Sequence, residues 1–331
     1  MRKSIAIIIT SILVLSGCNK QQSVSDRLLN EVEKAIAINP DSASNLLKSI
    51  SSPEKLDDKA FARWCMLSGK ITDEIFNSIL PTYQLERAYD WYSSHGSPNE
   101  QVQILIYLGR SYFADGDYDK AMSIYTNALD IAEKNKLNNL TGYTYSYIGD
   151  LYGEKFMRTE AIKRYKAAAE CFKKENNTDS YACALRDVGR EYACIDSLSR
   201  ALKILTIADS VARNTKNIEV TASIDNALGN IYAMQNKYDK AEEYFLKALV
   251  GRETMPDYMA LIDLYIASGA INKAQELLSK ILQDNPKYTY SIKYLYYQIY
   301  NEEKNYKEAL TNLKEYVEIT DSIIYADNQS K

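Results

Sequence analysis

Apolar side chains along most of this chain recur at helical spacing rather than in alternation. Ala121, Ile124, Tyr125 and Ala128 fall at i, i+3, i+4 and i+7, which is one face of an α-helix. Four stretches align without gaps: Leu108-Gly109-x-x-Tyr112, Ile148-Gly149-x-x-Tyr152, Val188-Gly189-x-x-Tyr192 and Leu228-Gly229-x-x-Tyr232. Each glycine is followed by an alanine at a fixed distance (Ala121, Ala161, Ala201, Ala241), then a large apolar residue (Tyr125, Tyr165, Leu205, Phe245), then another alanine (Ala128, Ala168, Ala208, Ala248). The period is 40 residues, and internal repetition of that length marks an array of stacked units.

Each unit predicts a helical hairpin. Helix A of the first clear unit spans 100–114, Asp115-Gly116-Asp117 turns the chain with a C-capping glycine, and helix B begins near Tyr118. Asn236-Lys237-Tyr238-Asp239 makes the equivalent turn in the fourth unit. Small residues let two helices approach, and the large residue fills the adjoining gap. Upstream, Asn39-Pro40-Asp41-Ser42-Ala43 ends one helix and caps the next, which runs to about Ile50. A further pair is predicted over 57–76 and 82–94.

This register resembles the tetratricopeptide repeat, whose hallmark positions are these Leu-Gly, Tyr, Ala, aromatic and Ala sites. The family's basic period is 34, so the 40-residue units resemble its longer-helix variety, with extra turns around polar junctions such as 134–140 and 173–179. Two later units return towards the shorter period: Leu261, Tyr265, Ala274 and Leu278, then Tyr296, Tyr300, Ala309 and Leu313. Ile262 and Tyr297 replace the family's glycine there, which puts close approach of helices A and B in question. The resemblance implies an all-α fold, a right-handed α-solenoid of stacked antiparallel helix pairs. Degenerate hairpins over 25–98 precede an array of about six units over 99–331.

Composition sharpens this picture at two points. Only 12 Gly and 6 Pro leave little turn chemistry for a many-stranded sandwich or barrel. Tyrosine stands at 28 residues against 6 Phe and 2 Trp, and the hallmark positions absorb much of that excess. Tyr143, Tyr145 and Tyr147, along one helix A, are not explained by the register.

The N-terminus carries a separate signal. Met1-Arg2-Lys3 is a basic n-region, 4–14 is largely apolar, and Leu15-Ser16-Gly17-Cys18 follows. A stretch this short is a secretory h-region rather than a span, which needs about 20 residues. The last four residues resemble the lipobox of bacterial lipoproteins. That resemblance implies cleavage after residue 17, acylation of Cys18, and a short tether over 18–24. The implied location is the cell envelope: an outer-membrane lipoprotein facing the periplasm, held to the membrane by its lipid anchor. Loss of Arg2 and Lys3 with the leader leaves 38 basic residues against 44 acidic, a net −6, compared with −4 for the whole chain. With no long basic run, nucleic-acid binding has no electrostatic footprint.

Catalysis finds few residues to use. The single histidine, His95, reads as the end of a helix before a Gly-Ser-Pro loop. No nucleophile elbow, phosphate loop or HExxH motif occurs. Cys65, Cys171, Cys183 and Cys194 show no CxxC spacing, so neither a metal site nor any cofactor is expected. Buried free thiols are the expectation, with a Cys171–Cys183 disulfide as the alternative.

In the family that this chain resembles, ligands lie in the concave groove lined by helices A, close to the Leu-Gly pair. The residue after each glycine is Arg110, Asp150, Arg190 or Asn230. Arg186 and Asn226 lie four residues before the last two, on the same helix faces. Arg186, Arg190, Asn226 and Asn230 are expected to form one polar patch, and Arg110, Tyr147 and Asp150 complete the groove candidates. An arginine fork suits an acidic or C-terminal carboxylate segment of a protein or peptide partner. The competing expectation is that Arg186 and Arg190 pair with Asp150 and Asp187. Function therefore reads as a protein-binding scaffold. A periplasmic sensor ectodomain is the alternative. A glycan-uptake lipoprotein ranks lower, because Trp64 and Trp91 lie outside the clear array.

Overall fold

The structure, a computed structural model, describes residues 26–75, 79–284 and 289–330. The leader and Cys18 lie outside the described residues. No strand occurs among the described residues, which form sixteen α-helices and one short 3-10 helix, Pro53–Lys55. The chain divides into two compact units, one up to Asn176 and one from Asn177.

In the first unit, α1 (26–36), α2 (Pro40–Lys48) and α3 (Asp58–Ile75) enclose a core of Leu29, Val32, Ala43, Leu47, Leu67 and Ile71. Asn39 caps α2 by accepting from the Ser42 N–H at 2.9 Å. α4 (Thr82–His95) then pairs with α3, close to the predicted limits. His95 Nδ1 lies 3.0 Å from the Trp91 carbonyl, and its ring stacks on Trp91 at 5.0 Å, so the histidine closes the end of α4. α5 (Pro98–Ala114), α6 (Tyr118–Lys134), α7 (Asn138–Glu154) and α8 (Arg158–Lys174) complete this unit. α5 opens on a full capping box between Ser97 and Glu100.

The second unit contains α9 (Thr178–Cys194), α10 (Leu198–Thr215), α11 (Ile218–Met234) and α12 (Tyr238–Gly251). It continues with α13 (Met255–Ala267), α14 (Ile271–Asp284), α15 (Thr289–Glu302) and α16 (Tyr306–Ser330). Within each unit, successive helices pack as neighbours, the arrangement of an α-solenoid.

The 40-residue period has a simple origin. Helices α5 to α9 are each 17 residues long and are separated by three-residue turns. The extra length over a 34-residue unit therefore lies inside the helices, and the junctions between units are as tight as the turns within them. One left-handed residue recurs every 20 positions: Gly116, Lys136, Phe156, Asn176, Asp196, Lys216 and Asn236, with φ between 55° and 77°. Such a residue lets the following N–H reach back to an orphan carbonyl. The hallmark tyrosines supply that carbonyl: Asp117, Met157, Ser197 and Lys237 donate to the carbonyls of Tyr112, Tyr152, Tyr192 and Tyr232 at 2.8–2.9 Å.

The glycines set the separation of helices A and B. A Cβ on Gly149 would stand 2.7 Å from the Tyr165 ring, on Gly189 2.6 Å from Leu205 Cγ, and on Gly229 2.6 Å from the Phe245 ring. The paired alanines, Ala121, Ala128, Ala161, Ala168, Ala201, Ala208, Ala241 and Ala248, are fully buried. In the shorter last units, Ile262 in the glycine's place is itself completely buried, while α13 and α14 fall to 13 and 14 residues.

The three tyrosines outside the register also have structural partners. Tyr143 meets the Phe172 ring edge-on at 4.9 Å, Tyr145 donates to Glu133 at 2.6 Å, and Tyr147 stacks on Tyr125 at 5.6 Å. All four described cysteines are free thiols, so the disulfide alternative is not realised in this structure. Burial pushes the Cys65 thiol up to about 12. No described helix is long and apolar enough to cross a membrane.

Candidate binding clefts

All the groove candidates except Asp150 fall in two clefts, one in each unit. In the second unit, Arg186, Arg190, Asn226 and Asn230 all line one cleft of about 440 Å³. They reach it because α9 and α11 are successive helices A, packed as neighbours, and each presents the same face one turn apart.

Arg186 is committed internally. Its Nε and Nη2 donate to the two Asp187 oxygens at 2.9 and 3.1 Å, and its Nη1 donates to Ser223 Oγ at 3.0 Å. Arg190 differs. Its side chain is 66% exposed, and its nearest carboxylate oxygen, on Asp187, stands 3.7 Å away. The competing expectation of internal pairing therefore describes Arg186 far better than Arg190.

The far wall holds residues that carry no sequence signal. Asp257, in the first turn of α13, is completely buried. It accepts from Arg252 Nε and Nη2 at 2.9 Å each, from Asn226 Nδ2 at 2.9 Å, and from Thr254. Four donors on one buried carboxylate satisfy its charge without solvent. Asn226 is thereby fixed, and Asn230 Nδ2 donates to its side-chain and main-chain oxygens at 3.0 Å each. Ile231, Met234 and Pro256 add apolar surface, and Met234 is 52% exposed. The cleft thus offers one loosely held cation beside an apolar wall, over a floor whose other charges are paired.

In the first unit, Arg110 and Tyr147 line a larger cleft of about 710 Å³ with Asp73, Tyr107, Ile106 and Tyr143. Arg110 forms a salt bridge with Asp73, which also accepts from Tyr107 Oη at 2.9 Å. The guanidinium lies 5.9 Å from the Tyr107 ring and 5.6 Å from the Tyr147 ring. Burial pushes the Tyr147 phenol up to about 12. Arg110 is therefore neutralised and screened, and this cleft is aromatic in character rather than cationic. Asp150 accepts from Tyr165 Oη at 2.6 Å, so it serves the contact between α7 and α8. Among the described residues, no group of His, Cys, Asp or Glu is arranged to hold a metal ion.

A set of stacked helical hairpins with clefts along its helices A defines a helical-repeat protein of the α-solenoid class. Tetratricopeptide-repeat models match residues 100–174 and 221–255, and the chain is a tetratricopeptide-repeat protein. No curated protein matches it. Among solved structures it is similar to a Rap protein complexed with Competence and Sporulation Factor, with a TM-score of 0.67 at 18% identity over 90% of this chain and 86% of that one. It is also similar to aspartyl phosphate phosphatase F from Bacillus subtilis, with a TM-score of 0.59 at 16% identity over 84% and 75% of the two chains. A tetratricopeptide repeat protein from Parabacteroides merdae gives a TM-score of 0.55 at 16% identity, covering 78% of this chain and 93% of that one. At these identities the likeness is one of fold.

Proposed function

We propose that this chain is a protein-binding scaffold that grips an acidic or carboxylate-terminated segment in the cleft between α9, α11 and α13. The scaffold reading is supported by the repeats themselves and by the Rap protein of similar fold, whose structure holds a bound factor. The observation that carries the finer reading is Arg190: an exposed arginine at the mouth of a cleft whose other charges are already paired. A fork-shaped cation held this loosely can exchange its distant Asp187 contact for a two-point bond to a ligand carboxylate. Asn230, exposed and adjacent, offers amide chemistry to an extended backbone. Met234 and Pro256 would receive an apolar side chain next to the carboxylate. The scaffold acts by binding rather than catalysis. We further place it at the periplasmic face of the outer membrane, held there by acylated Cys18.

A displayed library of random C-terminal peptides, panned on the full chain, tests the cleft. Selected peptides resynthesised with free and amidated C-termini should differ in affinity, and Arg190→Ala should remove the difference. Selection of peptides indifferent to both changes would overturn the carboxylate reading.

A further inference from the structure

The last described helix carries an apolar stripe on its outer side. Ala309 and Asn312 of α16 are buried against the rest of the unit, whereas Tyr306, Leu310 and Val317 are 64%, 53% and 46% exposed. These three fall at i, i+4 and i+11, a single line along the helix. An exposed apolar line along a helix invites association.

The charges beside the stripe say what fits it. Lys307 lies at its start, Lys314 near its middle, and Glu318 and Asp321 towards its end, and all four are exposed. None of them makes an ion pair within the chain among the described residues, although the neighbouring Glu315 is held by Lys293 at 2.5 Å. A helix face that is basic at one end and acidic at the other is complementary to itself turned through 180°. We propose that α16 is a self-association surface, on which a second copy of this chain packs antiparallel about a two-fold axis.

The spacing sets the register. Leu310 of each copy packs on Val317 of the other, which places the axis between Leu313 and Lys314. Lys307 then faces Glu318 and Asp321 of the second copy, and Tyr306 also lies opposite Asp321. Lys314 meets its own counterpart near the axis, the one like-charge contact, and Glu318 stands one turn away from it. Such an isologous contact is closed, so it yields dimers rather than fibres. One helix pair is a small interface, so the dimer is a reversible one.

Cross-linking reads both the pairing and its direction. Full chains carrying Leu310→Cys are mixed with differently tagged full chains carrying Val317→Cys and then mildly oxidised. The mixed disulfide should dominate. Two Leu310→Cys copies hold their cysteines about 10 Å apart along the axis, too far to bridge. Lys307→Glu in both chains should lower the mixed yield about tenfold or more through like-charge contact, and Glu318→Lys with Asp321→Lys in the same chains should restore it. The unsubstituted chain, with its native cysteines, sets the background. Circular dichroism should be unchanged throughout, since every altered position is exposed. Equal yields from mixed and single-variant samples would overturn the antiparallel register, and no cross-link above background would overturn self-association.

Discussion

Arg186 and Asp187 are sequence neighbours, yet the guanidinium of the first clasps the carboxylate of the second through two bonds at 2.9 and 3.1 Å. Arg190, one helical turn on, is left 3.7 Å from the same carboxylate. The two arginines should therefore answer differently to truncation. Arg186→Ala strands a largely buried Asp187 and leaves Ser223 without its donor, at a cost of about 1–3 kcal/mol. Arg190→Ala removes an exposed and loosely paired charge, and should shift stability by less than about 0.5 kcal/mol. Melting temperature and peptide affinity measured on the same preparations separate them: the first variant loses stability, the second loses about tenfold in affinity.

Gly189→Leu should lower the melting temperature without abolishing helicity. The new side chain would start 2.6 Å from Leu205 Cγ, and overpacking of this kind costs about 1–3 kcal/mol. Leu205→Ala alone should also destabilise, by leaving a cavity. The double variant should recover part of the sum, since one change opens the space that the other needs. Strict additivity in denaturant titrations would contradict the close approach.

Lys136 and Phe156 occupy left-handed turn positions, each at φ 57°. A side chain there costs about 1–2 kcal/mol that glycine avoids. Lys136→Gly should raise stability by about 1 kcal/mol, after allowance for glycine's greater freedom when unfolded. Lys136→Val should lower it, because branching at Cβ tolerates this conformation least. Thermal melts of the three proteins give the order directly.

Thiol reactivity should follow exposure. Cys194 is exposed at the end of α9, whereas Cys65 is buried with its thiol pushed up to about 12. Burial also raises Cys183 and Cys171. A chromogenic disulfide reagent at neutral pH should show a rapid phase that Cys194→Ser removes, and Cys65 should react only on unfolding.

Cys18→Ser tests the anchor. Fatty-acid labelling should mark the parent protein alone, and the variant should leave the membrane fraction. An unlabelled parent would remove the lipoprotein reading.

The array was legible in the sequence because its spacing is carried by residue types with few alternatives. Glycine stands where helices touch, alanine where the second helix leans in, and tyrosine in the last turn of helix A. The three-residue junctions were less visible, since Lys136, Phe156 and Lys216 sit in left-handed turns without the glycine or asparagine that normally marks one. Helical spacing brought Arg186, Arg190, Asn226 and Asn230 to one face. It left open whether Arg186 would reach a ligand or turn on Asp187, and it could not show that Asp257 would be drawn in from α13, because a lone acid at a helix start carries no periodic signal. Arg110 was masked in the same way by Asp73, which lies upstream of the clear repeats.

The seventeen-and-three cadence of α5 to α9 leaves the seams between those hairpins alike. A segment such as 137–176 begins just after one left-handed residue and ends on another. Its excision would join Lys136 to Asn177, and the new seam would keep a left-handed residue at the same offset from both helices. Doubling the segment would likewise reproduce an existing seam. Between α5 and α9 the chain is thus cut into interchangeable cassettes, and its length can drift there by whole hairpins without leaving a splice that fails to close.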